Sequence, residues 1–275
     1  MSSSRSMEII PRRNAERGHA DHGWLKTFHT FSFANYHDFK HESFGSLRVL
    51  NEDRVAPRTG FGTHSHQEFE IFSYVISGAL EHQDSMGNTE ILSRGALQMT
   101  STGTGISHSE KAHGPQEVHF CQIWASPRPG EGKGKPAYST RHFTDEDKRN
   151  QFRLIVAPSD SSEVSLDREA EGPAPIRSQL RAYASLVDPG VSLTHKFHPT
   201  HSTDTRKAYI HVVQSSGYNP GNARGVKLRV GAQNEGPVIE LREGDGSYLL
   251  VGKDTELKVE NAGEGVVEFL LFDME

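Results

Sequence analysis

Two short histidine motifs contain the side chains best suited to chemistry in this chain. GTHSH places His64 and His66 two positions apart, and ISHSE places His108 and Glu110 at the same spacing. In a β-strand, residues two positions apart point to the same face. Each motif would therefore present a pair of ligand-type side chains from one strand. The chain between the motifs is long enough for a hairpin or two to bring those strands together.

Three imidazoles and one carboxylate form a ligand set suited to a divalent metal such as Fe(II), Ni, Co, Cu, Zn or Mn. Four protein ligands leave one or two positions of an octahedral ion open, where a substrate or O2 could bind. STGTG, just ahead of ISHSE, supplies glycines that let the backbone turn tightly near a ligand. The two motifs together favour a metal centre over the alternative, which is unrelated polar residues on solvated edge strands.

The residues around the first motif predict one continuous strand over 62–75. Such a strand would hold a polar site at the mouth of a barrel and pack the barrel further along. Alternation would place the following side chains on one face: His64, His66, Glu68, Glu70, Phe72, Tyr74 and Ile76. Phe69, Ile71 and Val75 would lie on the other face and pack against a neighbouring sheet.

Short runs rich in β-branched and aromatic residues recur along the chain, separated by Gly, Asp, Asn and Ser at hairpin-like intervals. This pattern is typical of a sandwich or barrel, so the predicted fold class is all-β with antiparallel barrels and little helix. The clearest predicted strands cover residues 44–50, 69–77, 118–126, 208–214, 226–231, 246–252, 256–261 and 266–273.

The middle of the chain, residues 127–176, is poorer in apolar residues and richer in charge and Pro, which predicts a connection between two β domains. One short helix is expected near Thr144 as N-cap, with acidic residues in its first turn. We predict an N-terminal domain over 1–137, a linker with this helix over 138–176, and a C-terminal domain over 177–275. The two halves share a faint plan of strands and Gly-rich turns.

Composition argues against several other classes of protein. The net charge is -6, with Lys and Arg scattered along the chain, which argues against a direct nucleic-acid surface. No apolar run approaches the ~18 residues of a membrane span. The N-terminus lacks the apolar segment of a secretory signal, and Cys121 is the single cysteine. A cytoplasmic location is therefore expected, with the nucleus as a second location, and Cys121 is predicted to be a buried, inert thiol.

A rival histidine cluster lies in THKFHPTHSTD, which holds His195, His198 and His201. A spacing of three places side chains on one side only in a helix, and Pro199 argues against a helix there. The stretch is therefore predicted to be a solvated loop. Gly-x-Gly runs elsewhere lack the strand, helix and acidic residue of a dinucleotide site, so nucleotide binding is not expected.

Five segments follow one another within residues 23–126: GWLKTFHTFSFANYHDF, GSLRVLNEDRVAP, GFGTHSHQEFEIFSYVISGALEHQDSMGN, TSTGTGISHSE and HFCQIW. In sequence and in order they resemble the signature segments of the pirin family, in the cupin superfamily. The resemblance implies a bicupin of two stacked jelly-roll barrels, with one metal in the N-terminal barrel. The family ligands map onto His64, His66, His108 and Glu110. GSYLLVGKDTELKV occupies the place of TSTGTGISHSE in the second half and has no histidine, which implies a metal-free C-terminal cupin.

The resemblance also bears on two neighbouring residues. A generic cupin motif, H-x-H-x3-E, would use Glu70 as its carboxylate ligand. Pirin-like proteins take the carboxylate from the H-x-E motif, which leaves Glu70 a supporting or structural role. Phe61, three positions before His64, either lines the metal pocket, as the equivalent aromatic does in the family, or packs the barrel.

Two activities of different class are associated with pirin-like proteins. One is quercetin 2,3-dioxygenase action, in which a flavonol is cleaved with O2 and carbon monoxide is released. The alternative is a metal-binding transcription co-regulator that acts through protein partners without catalysis. The dioxygenase is the leading hypothesis, with Glu110 as catalytic base and Fe(II) as the first expected metal. A monomer that uses a flavonol and O2, without contact to nucleic acid or membranes, is expected.

Overall fold

The computed structural model describes residues 7–198, 205–234 and 236–275, and strands dominate them. In chain order the strands are β1 (Met7–Arg12), β2 (Gly18–Asp21), β3 (Leu25–His29), β4 (Leu47–Val55), β5 (Gly60–His66), β6 (Glu70–Ser77), β7 (Ala79–Asp84), β8 (Thr89–Ser93), β9 (Ala96–Ser101), β10 (Ile106–Ala112), β11 (Val118–Ala125), β12 (Ala137–His142), β13 (Arg153–Pro158), β14 (Ala174–Ile176), β15 (Leu180–Val187), β16 (Ser192–Lys196), β17 (Thr205–Val212), β18 (Arg224–Ala232), β19 (Val238–Glu243), β20 (Gly246–Gly252), β21 (Glu256–Asn261) and β22 (Val267–Met274). A short helix, α1 (Asp145–Lys148), and a 3-10 turn at Asn14–Glu16 accompany them. The predicted all-β class is confirmed.

The chain divides into two compact units. The N-terminal unit consists of Gly18–Thr144 and Ile155–Leu180, and the C-terminal unit consists of the described residues up to Arg17, Asp145–Leu154 and Arg181–Glu275. The predicted domain boundaries at 137 and 177 stay a prediction. None of the helices in the described part of the chain has the length and apolar character that a membrane crossing requires.

Two antiparallel sheets form the N-terminal unit. A seven-stranded sheet has the order β12-β9-β6-β11-β4-β3-β2, and a four-stranded sheet has the order β5-β10-β7-β8. Their shared apolar core draws on both sheets: Leu25, Val55, Val75, Leu80, Leu92, Ala96, Ala112, Val118 and Phe120. β6 and β9 are almost wholly buried, which explains the nearly continuous apolar run of β6, while β9 also buries the polar residues Gln98 and Thr100.

The C-terminal unit repeats this strand order. Its small sheet, β16-β21-β18-β19, is the counterpart of β5-β10-β7-β8, and β20-β17-β22-β15 is the counterpart of β9-β6-β11-β4. The faint common plan of the two halves is therefore present as a repeated topology. The core of this unit is strongly apolar and includes Leu228, Val230, Leu257, Val259 and Phe269.

The single strand predicted over 62–75 is wrong. β5 ends at His66 and β6 begins at Glu70, and the two strands belong to different sheets. Between them Glu68 adopts a left-handed φ of 61°, a conformation that interrupts the pleat. Alternation therefore fails across this turn, and His66 and Glu70 do not share one strand face.

Thr102 fastens the turn between β5 and β6 to the segment between β9 and β10. Its Oγ1 accepts the Phe69 N–H at 2.9 Å and donates to the Phe69 carbonyl at 2.8 Å. The Glu68 N–H donates to the Gly103 carbonyl at 2.9 Å. Gly103 has a φ of 52°, and a Cβ at that position would lie 2.1 Å from the Gly134 carbonyl oxygen, so glycine is needed there.

The solvated loop predicted around THKFHPTHSTD is wrong for His195. This histidine lies in β16 and is 6% exposed, with ring centroids of Phe152, Tyr183 and Phe197 at 4.9, 4.6 and 5.0 Å. Burial in this aromatic surround lowers the pKa of His195 to about 4. His198 is exposed and follows the strand, while His201 lies outside the described residues.

Candidate metal centre

The two histidine motifs meet on neighbouring strands. β5 and β10 pair antiparallel, with His64 directly opposite His108 and His66 opposite Ile106. β10 is an inner strand of the small sheet, with β7 on its other side. Strand pairing thus brings together the side chains that the spacing of the motifs selected.

The three imidazoles are close enough to share one ion. His108 Nε2 lies 3.2 Å from His64 Nε2, and one nitrogen of each of His64, His66 and His108 lies within 4.8 Å of the others. Two nitrogens bound at about 2.0–2.1 Å to one ion are roughly 2.9–3.4 Å apart for angles between 90° and tetrahedral. The separation between His64 and His108 therefore fits two ligands of a common metal.

The hydrogen-bond partners of these rings leave ligand nitrogens available. His64 Nδ1 lies 2.8 Å from the Gly62 carbonyl, which can only accept, so the Nε2 of the neutral ring carries the lone pair. His66 Nε2 is buried and has no hydrogen-bond partner. Burial and the neighbouring imidazoles lower the pKa of His66 to about 4 and that of His108 to about 3. Both rings are neutral at pH 7, which is the form that binds metals.

Glu110 follows His108 on β10 and is 1% exposed. The pairing of β10 with β5 shifts between these two residues. Glu110 Oε1 accepts a hydrogen bond from Ser73 Oγ at 3.1 Å, and Oε2 accepts one from Gln122 Nε2 at 3.0 Å. Each oxygen keeps a further lone pair for a cation or a substrate proton.

His82 is a member of the site that sequence reasoning missed. One ligand atom from each of His82, His108 and Glu110 lies within 4.8 Å of the others, so Glu110 falls in a second group that overlaps the three imidazoles at His108. The signal was present in EHQDS, where His82 and Asp84 repeat the spacing of the other motifs. Without the pairing of β7 with β10, this signal had no context.

Gly60 permits the close approach of β5 and β10 beside Glu110. A Cβ on Gly60 would lie 2.2 Å from the Glu110 carbonyl oxygen and 2.4 Å from the Lys111 Cα. Any larger residue would force the two strands apart at the point where the carboxylate enters the site. The glycine at this position therefore has a positional requirement from packing, not from φ.

Aromatic rings stand beside the histidines. The Trp124 ring lies 4.8 Å from that of His66, and the rings of Phe69 and Phe33 lie 5.4 and 5.5 Å from Trp124. His66 also lines an open cleft of about 440 Å³, together with Ser65, Gln67, Ser85, Gly105, Ile106 and Ser107. Phe61 instead contacts Trp24, with ring centroids 5.2 Å apart, and the apolar core. Its role as a pocket residue stays a prediction.

Glu70 and Cys121, which were not predicted to be ligands or catalytic residues, are both buried. Glu70 is buried, and its Oε2 accepts hydrogen bonds from Ser101 Oγ at 2.6 Å and from the Arg177 N–H at 3.0 Å. Burial raises the pKa of Glu70 despite these donors. These contacts agree with a structural role. The Cys121 thiol is fully buried, as expected of an inert cysteine.

The donor set fits a divalent metal. An ion of intermediate softness requires neutral imidazoles with available nitrogens at ligand spacing. His66 has a buried nitrogen without a partner, His64 has a fixed tautomer, and the Nε2 atoms of His64 and His108 are 3.2 Å apart. The protein therefore has a possible His/Glu metal site in its N-terminal unit.

Comparison with known sequences places the chain among proteins of one family. The Pirin family profile matches residues 11–125. A quercetin 2,3-dioxygenase of Escherichia coli strain K12 is 46% identical over 151 residues, which cover 54% of this chain and 63% of that protein. A pirin-like protein of Caulobacter vibrioides is 38% identical over 188 residues, which cover 68% of this chain and 77% of that protein.

A solved structure extends the likeness over almost the whole chain. The bacterial pirin YhhW of Escherichia coli, in complex with nickel(II), superposes with a TM-score of 0.76 at 31% identity, covering 97% of this chain and 99% of that one. The fold described above thus recurs in a related protein.

Proposed function

The chain belongs to the pirin family, and on that premise we propose that it is a metal-dependent dioxygenase of the quercetin 2,3-dioxygenase type. It would open a flavonol ring with O2 and release carbon monoxide. The observation that supports this proposal best is the meeting of His64, His66 and His108 on β5 and β10, with the buried carboxylate of Glu110 close to His108. The first relative named above carries the same activity in its name.

The metal would be held by His64, His66, His108 and Glu110. Fe(II) is the first proposal, and Ni is supported by the nickel complex of a relative that is 31% identical; Co, Mn, Cu and Zn also suit this ligand set. A bound divalent metal supplies a Lewis acid that lowers the pKa of a coordinated hydroxyl and an open position for a small ligand.

Glu110 would accept the proton of the flavonol 3-hydroxyl. Ser73 and Gln122 each donate to one oxygen of its carboxylate, which holds the group in one orientation toward the histidines. The proton would pass to a remaining lone pair of either oxygen and leave an electron-rich flavonolate for O2 to attack. Because Ser73 and Gln122 are buried protein side chains, this orientation of Glu110 does not depend on bound substrate.

The substrate would be held by aromatic surface and a small cleft. Trp124, Phe69 and Phe33 form successive ring contacts that start at His66, and planar aromatic ligands pack well on such surfaces. The cleft of about 440 Å³ at His66 falls in the size range of sites for small molecules. Together these features favour a planar phenolic substrate over a charged or extended one.

The test is Glu110→Gln, assayed by the loss of quercetin absorbance when oxygen is admitted to an anaerobic mixture with metal-quantified protein. Loss of the base should lower the turnover by about 100- to 10,000-fold while part of the metal is retained. The matched control is Glu70→Gln, a buried carboxylate bonded to Ser101 and Arg177, which should keep turnover within a few-fold. Unchanged turnover in Glu110→Gln would remove Glu110 from the chemistry.

The alternative, a metal-binding transcription co-regulator, is distinguished by the same assay. Absence of flavonol consumption with Fe, Ni, Co, Mn and Cu in protein that binds one metal would favour the partner-binding role. The relatives reported above are bacterial and lend no support to a nuclear location.

A further inference from the structure

His82 is a fully buried histidine of the candidate metal site that is not among the four proposed ligands. It lies on β7 directly opposite Glu110 on β10, and Asp84 lies opposite His108. The His82 ring is 5.3 Å from that of His108 at an interplanar angle of 66°, and it stacks on Tyr138 at 5.0 Å and 21°. Its exposure is 0%. Burying an imidazole here is costly unless its nitrogens have partners.

Asp84 determines which nitrogen of His82 carries the proton. His82 Nε2 lies 3.4 Å from Asp84 Oδ2, and both side chains are fully buried. A carboxylate only accepts, so the shared proton resides on Nε2 and leaves a lone pair on Nδ1. The N–H groups of Met86 and Asn88 and the Asn88 side-chain amide all donate to Asp84, which keeps the carboxylate in place. His82 Nδ1 is then an acceptor, and it has no hydrogen-bond partner.

His108 offers the complementary group. Its Nε2 is turned to His64 Nε2 at 3.2 Å, the position a shared ion would use. A neutral imidazole that gives its Nε2 lone pair to a metal carries its proton on Nδ1. His108 Nδ1 is buried and, like His82 Nδ1, has no partner. Two adjacent rings therefore hold one unpaired acceptor and, in the metal-binding tautomer, one unpaired donor.

We propose that His82 is a positioning residue for the metal centre, whose Nδ1 accepts the Nδ1–H of His108 while Asp84 fixes the His82 tautomer. The ring centroids are 5.3 Å apart, so the contact requires the two Nδ1 atoms to turn toward each other. Hydrogen bonds from His108 to His82 and from His82 to Asp84 would orient the His108 ring. They would also make His108 a stronger electron donor to the metal, as outer partners of metal-bound histidines do. This inference rests on the metal site of the proposed function, but not on the flavonol or the oxidation.

The experiment measures Ni2+ affinity of the full chain by competition with a chelator, without substrate. His82→Phe keeps a ring against Tyr138 but removes both nitrogens, and it should weaken Ni2+ binding by about 10- to 100-fold with one metal per chain retained. His82→Asn keeps an acceptor near the Nδ1 position and should stay within several-fold of the wild type. Tyr138→Phe, which preserves the stacked ring, should stay within about twofold and controls for packing.

Asp84→Asn tests the tautomer itself. The side-chain oxygen of the new amide is needed by the N–H groups of Met86 and Asn88, so its nitrogen would face His82 Nε2. His82 would then carry its proton on Nδ1 and meet the His108 N–H as a second donor. Asp84→Asn should therefore weaken Ni2+ binding as much as His82→Phe does, by about 10- to 100-fold.

A spectroscopic readout separates positioning from general stability. In the Zn2+ form labelled with 15N at histidine, the wild type should show a slowly exchanging His108 Nδ1–H that is lost in His82→Phe. Wild-type affinity in both His82→Phe and Asp84→Asn would contradict the proposal. So would loss of the metal from His82→Phe and His82→Asn with Asp84→Asn unaffected, because His82 would then be a ligand itself. If His82→Phe does not fold, the contrast between His82→Asn and Asp84→Asn decides.

Failure of this inference is distinguishable from failure of the proposed function. Ni2+ affinity and the Nδ1–H signal need neither flavonol nor O2. A protein that shows the His82 effects but does not consume quercetin would retain the positioning role and lose the dioxygenase proposal. A protein that turns over quercetin with unchanged affinity in His82→Phe and Asp84→Asn would do the reverse.

Discussion

The two units of the chain have the same strand order, but corresponding strands bury polar residues in one unit and apolar residues in the other. On the paired strands β5 and β10 of the N-terminal unit, His64 faces His108. On the counterpart strands β16 and β21 of the C-terminal unit, the buried histidine His195 faces Leu257. Around the first pair lie polar buried groups, whereas the second lies in an aromatic and aliphatic surround.

This difference shows how little of the fold is committed to the site. Both units bury strands from a small sheet against a larger one, and both are closed by apolar residues. The four proposed ligands come from β5 and β10, while Ser73 on β6 and Gln122 on β11 hold the carboxylate of Glu110. The C-terminal cupin without metal stays a prediction, and the apolar residues Leu257 and Val259 on β21 are its physical motivation.

The largest effect is expected from removing the shared histidine of the site. His108→Ala should weaken Ni2+ binding by about 1,000-fold, since a structural metal site gains about 10–16 kcal/mol from about four ligands. Chelator competition on the purified protein measures it. His195→Leu, the buried histidine of the other unit, is the matched control and should leave affinity and stoichiometry unchanged. Equal losses of Ni2+ affinity in the two variants would contradict a metal site confined to the N-terminal unit.

A smaller effect should follow from a cavity in the C-terminal unit. Leu257→Ala removes a fully buried side chain, which should lower the free energy of unfolding by about 3 kcal/mol. Both tryptophans, Trp24 and Trp124, lie in the N-terminal unit, so their fluorescence would not report on the C-terminal unit. Urea unfolding followed by circular dichroism should instead show the loss of stability, while Ni2+ affinity stays within about twofold. A variant that keeps its stability but binds metal weakly would contradict the separation of roles.

The smallest effect concerns acid sensitivity at His195. Its pKa is lowered from 6.5 to about 4, chiefly by burial and further by the Arg206 guanidinium. The neutral ring therefore stabilises the fold fully above pH 6.5, and this contribution is lost as the pH falls toward 4. Between pH 7 and pH 5 the wild type should lose about 2 kcal/mol more unfolding free energy than His195→Leu. Parallel curves for the two proteins in urea unfolding at these pH values would show that His195 is not the titrating group.

Much of the fold and the core of the site follow from local patterns. Residue alternation and the two H-x-H and H-x-E spacings identified His64, His66, His108 and Glu110, because strand geometry makes such spacing meaningful without any tertiary knowledge. The apolar runs that became β4, β6, β11 and β22 were equally visible, since buried strands need continuous β-branched and aromatic residues.

The parts that could not be predicted depend on contacts distant in sequence. The break at Glu68 carries no Gly or Pro, and its left-handed conformation is held by bonds from Thr102 and Gly103 to this turn. His82 gains meaning only when β7 pairs with β10. Of the rings that bury His195, only Phe197 is near in sequence, while Phe152 and Tyr183 come from distant strands and loops.

The hydroxyl of Thr102 affects the metal centre although it lies outside it. It binds both backbone groups of Phe69, at the point where the chain passes from β5 into β6 and from β9 into β10. A slip of β5 by one residue would exchange the two faces of that strand. Ser65, whose hydroxyl now meets that of Ser107 at 2.8 Å on the exposed face, would then take the inward position of the imidazoles. The two bonds of Thr102 to Phe69 hold the turn that follows β5, so they help to keep the register in which the histidines face the metal centre.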